Sequence, residues 1–329
     1  MEIAVEALLS RPAKPGLRIA VRPVLHRPGM RILFITATRI GDAVLSTGLL
    51  DHLLHTHPDA RFTVACGPVA GDVFARMPRR DATLIVEKRR FDVHWLDLWW
   101  RTVGTVWDLV VDLRGSALSF LLPARQRVVL RGGRRPNEHK LVQLAAAFGL
   151  SSPPQPVCWT APEDQANASR LLPDGTPYIG LAPTANWSGK LWPPGRFAAL
   201  FHAIRNQALG GARPVVFAGP GAAERAMAAP VLAALPDAID LTGLLSLPEA
   251  SACLSRCALF VGNDSGLMHL AAAAGAPTLG LFGPTPAAEY APAGRRTAVA
   301  VAPGPAGAAP MDALTVDAVA AAALVLLRA

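Results

Sequence analysis

Short apolar runs alternate with longer amphipathic stretches along most of the chain, and turn-forming residues mark the switches. The first run, Arg31-Ile32-Leu33-Phe34-Ile35-Thr36, is almost continuously apolar, which fits a strand buried on both faces of a parallel sheet. A loop through Arg39-Ile40-Gly41-Asp42 follows. Val44, Leu45, Leu49, Leu50 and Leu53 then recur at helical spacing over residues 43–55. Pro58-Asp59-Ala60 breaks that pattern and residues 61–65 predict a second strand, which completes a strand-helix-strand unit. The alternation continues with a strand at 82–86, a helix at 92–103 and a strand at 109–112.

Residues 151–161 are rich in proline and serine, carry little pattern, and read as a domain linker. A second series follows. Strands are predicted at 178–182, 214–218, 237–240, 259–261 and 277–282, and helices at 194–207, 222–235, 247–255 and 266–274. A low-complexity loop at 304–310 precedes a terminal helix at 316–327. Two successive α/β sheets joined by a linker predict a ligand cleft between them, at the carboxyl ends of the strands. The expected organisation is a basic, poorly ordered leader (1–30), a first domain (31–160), a second domain (161–310) and a terminal helix (311–329).

Composition narrows the class. The chain has 329 residues, enough for two domains with real cores; 51% are hydrophobic and 17% charged, as in an alanine-rich α/β enzyme. The net charge of +8 points to an acidic partner: nucleic acid, a phosphorylated ligand or an anionic membrane surface. No recognition helix, zinc-finger spacing or aromatic RNA-binding motif occurs, so nucleic acid is set aside. Cys66, Cys158, Cys253 and Cys257 form no CxxC pair and cluster with no histidines, which predicts free thiols in a reducing compartment and no metal site. No apolar run reaches the roughly 20 residues of a membrane span. The first 30 residues lack the apolar core of a secretory signal.

Three segments carry candidate chemistry. In Val261-Gly262-Asn263-Asp264-Ser265-Gly266-Leu267-Met268-His269 a predicted strand gives way to a predicted helix. Asp264 or Ser265 falls at the N-cap and Gly266 admits close approach to the backbone. Free N–H groups at the positive helix end make an anion site. His269 lies one turn further in, within reach of a phosphate or a sugar hydroxyl. The plainer alternative is that Asp264 and Ser265 only cap the helix and His269 is a satisfied, partly buried histidine.

The second segment, Gly180 to Pro193, leaves a strand and carries Thr184 and Lys190 toward the same predicted cleft, where a lysine suits a diphosphate. It is no nucleotide-triphosphate loop, because Leu191 follows the lysine and the first glycine is absent; nor does GxGxxG open either half. The third segment places Asp42 at the first strand-to-helix turn, either as a general base or as a helix cap. Trp95, Trp99, Trp100 and Trp107 read as core packing, with a membrane-interface patch as the alternative.

The stretches RILFITATRIGDAVLSTGLLDHL, WDLVVDLRGSALS, YIGLAPTANWSGKLWPPGRFAAL, VVFAGPGAAERA and LFVGNDSGLMHLAAAAGAPTLGLFGPT together resemble glycosyltransferase family 9, the bacterial ADP-heptose:lipopolysaccharide heptosyltransferases. They run in the family's order over most of residues 31–285. The resemblance implies the α/β GT-B fold, two Rossmann-like domains with parallel sheets facing across a cleft, acceptor domain first and donor domain second. It implies Asp42 as the base and Lys190, with Thr184 nearby, on the donor phosphates. Asp264, Ser265, Gly266 and His269 would hold the nucleotide sugar, with Glu224 at the ribose and Leu245 at the adenine. Thr184-Ala185-Asn186 and Asn263 depart from the usual residues, which bears on donor choice.

The mechanism so implied is an inverting displacement, independent of metal, with no Asp-x-Asp pair and no cofactor beyond the nucleotide sugar, ADP-heptose. Basic residues of the first half, Arg39, Arg114, Arg134 and Arg135 among them, would meet an anionic glycolipid such as lipopolysaccharide core. The expected protein is a cytoplasmic monomer, with peripheral contact to the inner membrane as an option. A nucleotide-sugar epimerase of the same fold and a catalytically silent sugar-nucleotide-binding protein are the rival readings.

Overall fold

The computed structural model describes residues 29–130, 135–305 and 307–329. All of the expected leader except Gly29 and Met30 therefore lies outside the described residues, as do Arg131 and Arg134. The chain divides into two compact units, one through Trp159 and the other from Thr160 to Ala329.

The first unit is a five-stranded parallel sheet: β1 (Arg31–Ile35), β2 (Arg61–Cys66), β3 (Arg80–Ile85), β4 (Trp107–Asp112) and β5 (Ala124–Val129), in the order β3-β2-β1-β4-β5. Central β1 is buried from Ile32 to Ile35, as a strand covered on both faces must be. Helix α1 (Ile40–Thr56) buries every residue from Ala43 to Leu50. A Cβ on its Gly48 would run into the carbonyl oxygens of Pro154 and Gln155, and Thr47 Oγ1 accepts a 2.9 Å bond from Val157 N. The proline-rich stretch, irregular as expected, is thereby fastened to α1. Helices α2 (His94–Thr102) and α3 (Lys140–Ala147) complete the unit.

The second unit opens with α4 (Pro162–Leu171) and builds a six-stranded sheet ordered β11-β10-β9-β6-β7-β8. Its strands are β6 (Tyr178–Ala182), β7 (Arg213–Val216), β8 (Ile239–Asp240), β9 (Cys257–Asn263), β10 (Thr278–Phe282) and β11 (Thr297–Val301), all parallel. The helices between them are α5 (Pro194–Gln207), α6 (Ala222–Ala234), α7 (Leu247–Leu254), α8 (Gly266–Ala273) and α9 (Ala287–Tyr290), and α10 (Val316–Arg328) ends the chain. Trp192, Phe197 and Phe201 share one core with Val319, Ala323 and Leu326, so the terminal helix packs into this unit. Burial of the apolar surface of that core supplies most of the driving force for the unit.

Several elements differ from the sequence reading. Helix α1 begins at Ile40, three residues early, since extended Arg39 turns the chain at once and its carbonyl accepts from Ala43 N. Strand β5 reads ARQRVV; its polar positions are exposed or half-buried at the sheet edge, which hides the apolar signal. Helix α4 buries only Asp164 and Ala168, too little for a periodic stripe. The tryptophans divide: Trp107 is in the core, Trp95 and Trp99 are half-buried against it, and Trp100 is 77% exposed. No helix among the described residues is long and apolar enough to cross a membrane. None of the four cysteines forms a disulfide.

Candidate functional site

An open parallel sheet binds ligands where the strand order reverses, because there the two flanking connections leave in opposite directions and open a crevice at the carboxyl edge. In the second sheet β6 leads to β7 and β8 on one side, whereas β9 returns to its other side. The reversal therefore lies between β6 and β9. The loop after β6 carries Thr184 and Lys190, and the turn after β9 carries Asp264 and Ser265. Topology alone thus assembles the two segments singled out in the sequence.

Side-chain bonds fix the assembly. Lys190 Nζ donates to Asp264 Oδ2 at 2.7 Å, with side-chain exposures of 17% and 8%. Asn263, fully buried, donates from Nδ2 to Pro183 O at 2.8 Å and accepts from Trp192 N at 3.1 Å on Oδ1. One amide thus staples both ends of the Lys190 loop to β9. Trp192 is itself fully buried, its Nε1 donating to Leu314 O at 2.8 Å and its ring meeting Phe197 edge-on. The loop between is tight: the Trp187 ring lies over Gly189, where any Cβ would collide with it. Trp187 stays 53% exposed beside Lys190.

Ser265 is the N-cap residue of α8, but neither it nor Asp264 caps the helix with its side chain. Asp264 is engaged by Lys190 instead, and Ser265 Oγ is buried with no hydrogen-bond partner among the described residues. The capping half of the plainer alternative therefore does not hold for either side chain. The first N–H groups of α8 have no intrahelical acceptor, and with the adjacent lysine they form a cradle for an anion. His269 lies buried in the next turn.

The flanking strands add further groups. Glu224, half-buried in the first turn of α6, accepts from Gly219 N at 3.2 Å through Oε2. Gly221 before it has φ 108°, a conformation that favours glycine. Leu245 is half-buried beyond β8. Two residues to which the sequence reading gave no role also stand at this edge. Thr242, two residues past β8, and Thr285, three past β10, keep hydroxyls that are buried and without partners. Together with Ser265 they are the orphaned buried hydroxyls among the described residues, and all three follow a strand's carboxyl end. A buried hydroxyl without a partner costs about 1–3 kcal/mol, and these three follow strands of the sheet whose carboxyl edge carries Lys190 and Asp264. Nothing in the sequence signals burial of a threonine; a search for hydroxyls just after predicted strands would have flagged them.

The first sheet reverses between β1 and β4. Asp42 is half-buried in the first turn of α1, and its carboxylate makes no hydrogen bond or ion pair among the described residues. Arg39 is the exposed residue before that helix. After β4, buried Asp112 gathers Arg114 N, Gly115 N, Ser116 N and Ser116 Oγ at 2.5–3.0 Å and so shapes the turn. Exposed Arg114 lies over the Trp95 ring at 5.0 Å. Arg135 is tied to Glu138 at 3.3 Å on a different loop, and Arg134 lies outside the described residues.

Comparison with known proteins agrees with this architecture. Residues 136–309 match the family described as glycosyltransferase family 9 (heptosyltransferase). Lipooligosaccharide heptosyltransferase 2 of Haemophilus influenzae is 26% identical over 302 residues, 80% of this chain and 86% of that protein. Lipopolysaccharide heptosyltransferase 2 of Escherichia coli K12 is 29% identical over 299 residues, 78% and 83% of the two chains. Among solved structures, a family 9 glycosyltransferase from Veillonella parvula superposes with TM-score 0.75 at 21% identity, covering 92% of this chain and 99% of that one. The E. coli ADP-heptose lipopolysaccharide heptosyltransferase II gives TM-score 0.70 at 20% identity, covering 91% and 99%. The fold is the α/β GT-B type, two Rossmann-like units, and the chain belongs to glycosyltransferase family 9, the heptosyltransferase family.

Proposed function

We propose that this glycosyltransferase moves a heptose from ADP-heptose to a lipopolysaccharide-type acceptor with inversion at the anomeric carbon. The observation that carries the reading is the Lys190–Asp264 pair at the reversal point of the second sheet, beside the amino end of α8. The names of the relatives, heptosyltransferases acting on lipopolysaccharide or lipooligosaccharide, support the substrate class.

In this mechanism the second unit holds the donor and the first the acceptor. Lys190 and the free N–H groups of α8 meet the diphosphate, with Thr184, Ser265, Gly266 and His269 around it. Glu224 takes the ribose hydroxyls through its unengaged oxygen, and Leu245 lines the base. Asp42 accepts the proton of the acceptor hydroxyl as its oxygen bonds to the anomeric carbon. The bond from that carbon to the diphosphate breaks, and ADP leaves with the electron pair. Lys190 and the helix end match charge that grows on the diphosphate, so they favour the transition state over the bound donor. These groups supply the positive charge without a resident metal, and the nucleotide sugar is the only co-substrate. Arg39 and Arg114 are the acceptor-side cations, with Arg134 and Arg135 as further contributors.

The test is a panel of nucleotide sugars scored for nucleoside diphosphate release with and without a lipopolysaccharide-type acceptor. Release with ADP-heptose that requires acceptor, and an inverted anomeric signal in the product NMR spectrum, are expected. Donor consumption without acceptor would identify an epimerase, and binding without turnover a silent binding protein; either overturns the proposal.

A further inference from the structure

The large apolar side chains left in water are concentrated on one stretch of the first unit. Phe91 is 88% exposed, Leu96 66% and Trp100 77%, with Val93 and Leu121 also exposed. Helix α2 turns His94, Leu98 and Thr102 inward, and Leu96 and Trp100, one turn apart, stand on the opposite face. Trp99 Nε1 donates to Leu121 O at 3.3 Å, which brings the Leu121 loop alongside. Phe91 and Asp92 both hold left-handed backbone, φ 57° and 55°, an uncommon conformation for a bulky residue, here spent on a fully projecting ring.

Positive charge borders this face. Lys88, Arg89 and Arg90 run consecutively into Phe91, all exposed, and none forms an ion pair among the described residues. Arg90 instead lies over the Phe91 ring at 5.4 Å. Of the carboxylates nearby, Asp97 is matched by Arg101 at 3.5 Å, leaving Glu87 and Asp92. Projecting Phe, Leu and Trp bordered by unpaired cations is the pattern that suits the boundary of an anionic bilayer, where rings sit among headgroups and cations meet lipid phosphates. The loop bearing Phe91 follows the carboxyl end of β3, and Arg114, after β4, lies over Trp95 of the same helix.

We infer that the outer face of α2, with Phe91 and the Lys88-Arg89-Arg90 run, docks on an anionic lipid surface and so brings the enzyme to an acceptor carried in that surface. The docking stands on the exposed residues alone; its purpose rests on the proposed function.

The test is co-sedimentation of the full chain with phosphatidylglycerol/phosphatidylethanolamine vesicles and with phosphatidylcholine vesicles. The parent binds the anionic vesicles and is released by high salt. The variant Phe91→Asn/Leu96→Gln/Trp100→Gln loses about tenfold or more in binding, and Lys88→Gln/Arg89→Gln/Arg90→Gln loses it on anionic vesicles at low salt. Equal binding by parent and both variants, no binding by the parent, or concentration-dependent self-association abolished by the apolar variant would overturn the assignment. Activity is then compared on a vesicle-embedded acceptor and on the same glycan stripped of its acyl chains. The apolar variant falls only on the embedded acceptor; an equal fall on both overturns the purpose assigned to docking. If the parent uses neither acceptor, the proposed function fails while the vesicle result still decides the surface.

Discussion

Lys190 and Asp264, 74 residues apart in sequence, meet at 2.7 Å at the carboxyl edge of the second sheet, on the loops that follow two neighbouring strands. The pair does two things. It keeps a flexible lysine in one place, and it gives a largely buried carboxylate its counter-charge. Removing one partner leaves the other unmatched away from water, whereas removing both leaves no bare charge.

Lys190→Ala is therefore expected to lower unfolding free energy by about 3 kcal/mol, and the double change Lys190→Met/Asp264→Asn by clearly less. Urea denaturation of the single and double variants checks the order. Both are expected to weaken ADP-heptose binding in calorimetry. Undiminished donor affinity in Lys190→Ala would remove the lysine from the diphosphate.

Asn263 stands one residue earlier and binds both Pro183 O and Trp192 N. Asn263→Ala orphans a buried carbonyl and a buried N–H, at a cost of about 1–3 kcal/mol for each. It frees the Lys190 loop at both ends, so donor KM should rise more than stability alone explains. Unchanged donor KM at temperatures well below melting would show that the loop is held without the amide.

Ser265 and Thr285 carry the opposite sign. Each buries a hydroxyl without a partner, so Ser265→Ala and Thr285→Val remove an unsatisfied group, leaving stability equal or higher by up to about 1 kcal/mol. Donor affinity is expected to fall about tenfold, the worth of one good hydrogen bond to a charged group. Loss of stability with unchanged affinity would mean that these hydroxyls serve the fold.

The thiols follow from burial. Desolvation pushes Cys66 and Cys253 up to about 12 from 9.0, and Cys257 higher still. These groups stay protonated in the folded chain at pH values where the unfolded chain ionises. Their contribution to stability is thus whole below about pH 9 and is lost as pH rises toward 12. In the native protein a thiol reagent at pH 8 should modify half-buried Cys158 first and reach the other three only on unfolding. Rapid modification of all four without unfolding would contradict the buried placement.

How much of this was legible beforehand depended on what each segment buries. The run from Ile32 to Ile35 announces itself as an unbroken apolar stretch, and the helix from Pro194 to Gln207 because Phe197, Leu200, Phe201 and Ile204 recur at helical spacing. The segments 124–129 and 162–171 do not, since an arginine-bearing edge strand and a polar helix show little apolar periodicity. Lys190, Asp264 and Ser265 could be found from the strand-to-helix turns that carry them. That Lys190 and Asp264 pair could not, because their contact is made by the β6–β9 register and by Asn263. Asn263 itself was read only as a departure affecting donor choice, yet its side chain ties the site's two loops together. The tryptophans at 95–107 show the limit most clearly. They read together as core packing, whereas burial separates Trp107 inside from Trp100 outside.

In the proposed mechanism donor binding and proton removal reside on different residues, with Asp42 responsible only for the second. Calorimetry with ADP-heptose and acceptor-dependent ADP release, measured side by side on the parent and Asp42→Ala, test it most directly. Donor affinity within about twofold of the parent is expected, with transfer slower by about 10²–10⁴, the range for loss of a positioned base. Transfer at the parent's rate, or donor binding lost together with it, would contradict the account.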